Sequence, residues 1–159
     1  MRTRILGLAA LALAGLAAAC DDDTNDPGDT TTYTSDLRGS NEEPPVTTAA
    51  TGTATYTLSG RTITFTLAVN GLSGPAIGAH IHRGAEGENG PIIVPFNHAA
   101  VQTGQVATGT IDLDQPIVSG SSSITGDSLL ALFENGNAYT NVHTSANPGG
   151  EIRGQVEED

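Results

Sequence analysis

Apolar and polar residues alternate with a period of two over most of this chain. Ile63, Phe65, Leu67 and Val69 stand against Thr62, Thr64, Thr66 and Ala68, and Ala54, Tyr56 and Leu58 alternate with threonines just before them. On a strand, side chains at i and i+2 leave by the same face, so the pattern predicts half-buried strands, apolar inside and hydroxylated outside. Ser59-Gly60-Arg61 predicts a tight hairpin turn between these two runs, and Asn70-Gly71 with Ser73-Gly74-Pro75 predicts the end of the second. Further strands are expected around Ala79-His-Ile-His82, over Pro91 to Phe96, and over Val101 to Leu113. A terminal pair, Tyr139 to Thr144 and Glu151 to Val156, is expected to be joined through Asn147-Pro-Gly-Gly150. Gly120 to Gly126 reads as a polar loop. Asp127 to Gly136 alone has a helical pattern, with Asp127 or Ser128 as the expected cap and Gly136 as the stop. Seven or eight short strands and one short helix predict an all-β fold, an antiparallel β-sandwich or flattened Greek-key barrel.

Composition narrows how such a fold can hold together. At 159 residues there is room for one domain, and with no Trp and only three Tyr and three Phe the core must be built from Val, Ile, Leu and Ala. A single cysteine excludes an intramolecular disulfide. The formal charge is −12, and loss of a leader carrying Arg2 and Arg4 takes it to −14. That balance argues against nucleic acid or an anionic surface as a partner.

The pattern changes at the N-terminus. Arg2 and Arg4 precede an apolar run from Ile5 to Leu16, and three alanines stand immediately before Cys20, which predicts a signal peptide over residues 1–19. A lone cysteine in that position resembles the bacterial lipoprotein signal, with Ala17 where leucine is usual, and the resemblance implies lipidation of Cys20. Residues 20–32 hold five aspartates and, after the cysteine, no apolar residue, so they read as an acidic disordered tether. These features imply an exported, lipid-anchored protein of a bacterial envelope, facing the periplasm or the exterior.

Candidate chemistry collects between Gly78 and Phe96. His80 and His82 share one strand face, and His143 lies beside Val142, whose inward position would turn His143 outward like the pair. Three neutral imidazoles at bonds of about 2.0 Å suit copper or zinc, with a position left over for water or for His98. The same rings also fit a purely structural role, bonded to backbone carbonyls, to Asn141 or to the glycine loops. Glu86, Glu88 and Asn89 crowd oxygens into one loop, a weaker candidate for calcium because the alternating ligand pattern is missing. Asn89-Gly90-Pro91 predicts the turn into the next strand. Glu151 and Arg153 flank Ile152 and share a face, and Arg153 is expected to pair with Glu42 or Glu43 across the sheet, the alternative being a partner-binding surface. No nucleophile elbow is present.

Several separated segments together resemble the CHRD family, the domain named after chordin and found also in bacterial secreted proteins. They are Leu37-Arg-Gly-Ser-Asn-Glu-Glu-Pro-Pro-Val46, Ala79-His-Ile-His-Arg-Gly84, Gly87-Glu-Asn-Gly-Pro91, Asn141-Val-His-Thr144 and Asn147-Pro-Gly-Gly-Glu-Ile-Arg-Gly154. They span roughly residues 33–157, and Asn89, Gly90, Pro91, Asn141, Gly150, Glu151 and Arg153 fall on these motifs. The resemblance implies a non-enzymatic binding or structural module with a protein or glycan ligand. The order His80, His82, His98, His143 is also similar to that of copper-zinc superoxide dismutase, although the disulfide pair and the zinc loop with its aspartate are missing. The alternative is therefore a copper or zinc binding protein, without dismutase activity carried across.

Overall fold

The computed structural model describes residues 30–159. The signal peptide, Cys20 and most of the tether lie outside the described residues. The elements in chain order are β1 (Thr30–Arg38), β2 (Thr51–Ser59), β3 (Thr62–Asn70), β4 (Ala76–Arg83), β5 (Ile92–Pro95), β6 (Gly104–Asp112), β7 (Ile117–Ser119), β8 (Ser122–Ile124), α1 (Gly126–Glu134), β9 (Ala138–Thr144), β10 (Ile152–Gln155) and β11 (Glu157–Glu158). One antiparallel sheet runs β5-β4-β9-β10-β1-β2-β3-β6, with β11 added alongside β1, and β7 pairs with β8 as a separate hairpin. The all-β expectation holds, in the form of a single curled sheet. Residues 97–103 bridge its two ends: Ala76 donates its N–H to Val101 O at 3.1 Å and Ala99 donates to Val106 O at 2.7 Å.

The period-two runs bury the side chains the pattern selects. Ile63, Phe65, Leu67 and Val69 on β3 and Ala54 and Tyr56 on β2 line the inner face, joined by Ala79, Ile81, Val142 and Ile152 from the other half of the sheet. Five of the six Tyr and Phe rings meet in one chain through the core. Phe133 of α1 sets its ring edge-on against Tyr33 and Tyr56, each at 5.3 Å between centroids, and Phe65 stacks on Phe96 at 4.4 Å. Tyr56 is buried, so its hydroxyl needs a partner, and it finds Thr140 Oγ1 at 2.7 Å.

Local differences from the sequence reading have backbone causes. Thr30 to Thr32, assigned to the tether for want of apolar residues, pair with Ser59, Leu58 and Thr57, because a ladder needs only main-chain groups. The polar stretch after Gly120 folds back for the same reason, placing Ser122–Ile124 against Ile117–Ser119. The helix begins one residue early, at Gly126, and its cap is Thr125, whose Oγ1 accepts from the N–H of Ser128 at 3.2 Å. Gly136, at φ +63°, stops it as expected.

Candidate metal centre

β4 and β9 are neighbours in the sheet, with Gly78 opposite His143, His80 opposite Asn141 and His82 opposite Tyr139. Because Ala79, Ile81 and Val142 point into the core and are fully buried, these six residues all belong to the opposite face. His143 and His82 stand two rows apart on either side of the His80–Asn141 row, yet their ring centroids are 6.0 Å apart. Both rings lean over the middle row, where His80 is 5.0 Å from His143 and 5.6 Å from His82. Gly78 makes room for this: a Cβ there would come within 3.0 Å of His80 Cε1 and 3.5 Å of His143 Cδ2. One nitrogen from each of the three rings lies within 4.8 Å of the other two.

Hydrogen bonds decide which nitrogens are available. His82 Nδ1 lies 2.9 Å from Gly90 O, and His143 Nδ1 lies 3.1 Å from Pro148 O. A carbonyl only accepts, so each Nδ1 carries the proton and each Nε2 presents a lone pair. His143 Nε2 accepts from His80 Nδ1 at 3.2 Å. His82 Nε2 is buried with no partner among the described residues, an arrangement that costs about 1–3 kcal/mol unless something fills it. The structural role weighed from the sequence is present in the two Nδ1 atoms tied to backbone carbonyls, and of the two Nε2 atoms only that of His82 has no partner among the described residues.

Electrostatics keep the rings neutral. Burial pulls His80 down to about 4, helped by the charges that His143, His82 and His98 would carry. Burial also lowers His82 and His143, against the opposing effect of their carbonyl hydrogen bonds. All three are therefore deprotonated at neutral pH, the form that ligates metal.

The loop that supplies Gly90 is held by Arg153. Its guanidinium donates to Glu88 O at 2.9 Å, Ala85 O at 3.2 Å and Asn89 Oδ1 at 3.2 Å, and it stacks 3.6 Å over the ring of Tyr139. Tyr139 in turn lies parallel to His82 at 4.8 Å and accepts the Gly90 N–H on its hydroxyl at 3.2 Å. Arg153 was expected in an ion pair with Glu42 or Glu43; among the described residues only Arg61 makes ion pairs, with Asp114 and Asp127. The reason is burial. Arg153 is 2% exposed and spends its fork on carbonyls within reach. Of the side-chain oxygens that the calcium reading counted in the 86–90 loop, Asn89 Oδ1 accepts from this guanidinium. Asn89 also ties the loop to the segment before β2, donating to Glu43 O at 2.7 Å.

Two buried carboxylates complete the surroundings, and they are opposite cases. Glu151 accepts from Ser73 Oγ and Thr144 Oγ1, each at 2.6 Å, from the Ser73 N–H at 2.9 Å and from Thr48 Oγ1 at 3.0 Å. Burial pushes its carboxyl up, but these bonds together hold it below the usual range and pin the turn that carries Pro148. Glu42, packed with Asn141 where a side chain at Gly150 would stand, accepts among the described residues only from Asn141 Nδ2, at 2.8 Å. Burial pushes it up to about 7, against the Asn141 bond and the field of Arg153. The folded state therefore binds this proton more tightly than the unfolded one, and the stability it confers is full below pH 4.5 and lost as pH rises through 7. Glu42→Gln, which keeps an acceptor for Asn141, is expected to be about 1–3 kcal/mol more stable than wild type at pH 8 and equal to it at pH 4.5, by urea unfolding.

Of the four histidines, the structure joins His80, His82 and His143 and leaves His98 exposed on the segment after β5, outside the group. Sequence reasoning did not single out Gly78 or Tyr139, nor give Glu42 and Asn141 their shared role. Their signal was the register of β4 on β9, which spacing alone does not fix. A family model described as the CHRD domain matches residues 33–156. No curated protein and no solved structure matches the chain.

Proposed function

Because the chain belongs to the CHRD domain family, a membership that supports a non-enzymatic module of the extracellular type, we propose that this module binds a single transition-metal ion through His80, His82 and His143. The observation that carries the reading is the set of three convergent neutral imidazoles, two with tautomers fixed by backbone carbonyls, one of whose outward nitrogens is buried without a partner. Bonds of about 2.0 Å need nitrogens about 3.3 Å apart, so the 3.2 Å between His80 Nδ1 and His143 Nε2 fits once His80 carries its proton on Nε2 instead, and the widest pair, at 4.8 Å or less, closes by about 1.5 Å at most. Nitrogen-only ligation suits copper and zinc, and the general affinity order favours Cu²⁺. The leader-like N-terminus and Cys20 support export and lipid anchoring, which would display the centre outside the cytoplasm on an acidic tether. Dialysis of untagged protein against Cu²⁺ or Zn²⁺, followed by metal analysis, is expected to give one ion per chain. Retention of none after brief chelator-free dialysis would refute the reading.

A further inference from the structure

Asn141 stands opposite His80 on the face that carries the histidine cluster and is 2% exposed, and its Oδ1 is buried with no partner among the described residues. Its orientation is set from behind. Glu42 accepts from Nδ2, so the acceptor end of the amide is the end turned away from Glu42. Among the described residues no fourth His, Cys, Asp or Glu offers an atom within the 4.8 Å group. Three protein nitrogens leave a tetrahedral ion one ligand short, and the residue in the row between His82 and His143 carries an orphaned buried acceptor.

We propose that the fourth ligand is exchangeable and comes from solvent: a water, or another small oxygen ligand bearing a hydrogen, whose hydrogen is received by Asn141 Oδ1. The inference rests on the reading of the three histidines as a metal centre. It adds that the ion is open to small exogenous ligands, selected by whether they can donate to an amide oxygen. Glu42 is then a positioning residue, acting through the amide. A ligand without a hydrogen, such as azide, forfeits the bond to Asn141 when it displaces water.

Cu²⁺-loaded protein provides the test, with azide and ¹⁷O-labelled water as probes. The expected result is ¹⁷O coupling in the copper resonance of the wild type, and an azide-induced absorption band that saturates. In Asn141→Leu, azide should bind about five-fold more tightly, since the water it replaces has lost one hydrogen bond. If wild type takes up copper on the histidines but shows neither ¹⁷O coupling nor a response to azide, the fourth ligand is not exchangeable and the inference is overturned while the metal reading stands. Equal azide affinity in wild type and Asn141→Leu would overturn the role of Asn141. Should the leucine variant not fold, Asn141→Ala serves in its place, and the wild-type measurement needs no variant. Absence of copper from the histidines, visible before either probe is added, would be a failure of the metal reading itself.

Discussion

His82→Ala is expected to lower Cu²⁺ or Zn²⁺ affinity by at least about a thousandfold, well beyond the ten- to hundredfold that an outer hydrogen-bond partner is worth. The variant removes one of three nitrogens: His82 Nε2 is buried with no partner among the described residues, whereas His143 Nε2 already has His80. His98→Ala, at an exposed position outside the group, is expected to bind as wild type does. Competition against a chelator of known affinity measures both. A smaller loss for His82 than for His98 would mean that the ion sits elsewhere. The fold should survive, because the core face of β4 carries Ala79 and Ile81, not the histidines.

Arg153→Met is expected to destabilise the protein by about 3 kcal/mol in urea unfolding at pH 7. The substitution fills similar space but takes away the donors for Ala85 O, Glu88 O and Asn89 Oδ1 and the cation over Tyr139. Arg153→Lys keeps the charge and loses the planar fork, so it should recover about half of that. Because the same loop presents Gly90 O to His82, loosening it frees the ring that is now held in one tautomer, and metal affinity should fall about ten- to hundredfold. Faster amide exchange at Gly84 and Gly90 would locate the effect. A loss below about 1 kcal/mol would show that water replaces the guanidinium easily.

The fold was legible where side-chain pattern and backbone agree. Ile63 to Val69 alternate so regularly that no other register of β3 buries them, and Val142 correctly placed His143 on the face of the His80 pair. It was illegible where the main chain acts alone, as in Thr30 to Thr32 and Ser122 to Ile124, which enter ladders without an apolar residue to announce them until Ile124. The three histidines could be nominated from spacing and one apolar neighbour. Which of their nitrogens are available could not, since that depends on Gly90 and Pro148 carbonyls brought in by turns. Arg153 shows the same limit. Its alternation with Ile152 gave the face, but a long side chain on that face could reach a carboxylate or a loop carbonyl equally well, and only the path of residues 84–90 decides.

X-ray absorption on copper- or zinc-loaded protein asks whether one ion is held jointly by residues 80, 82 and 143. The expected spectrum shows three imidazole nitrogens at about 2.0 Å with a single light oxygen atom completing the sphere. A sphere made of carboxylate oxygens, or one with fewer than three imidazoles, would contradict it.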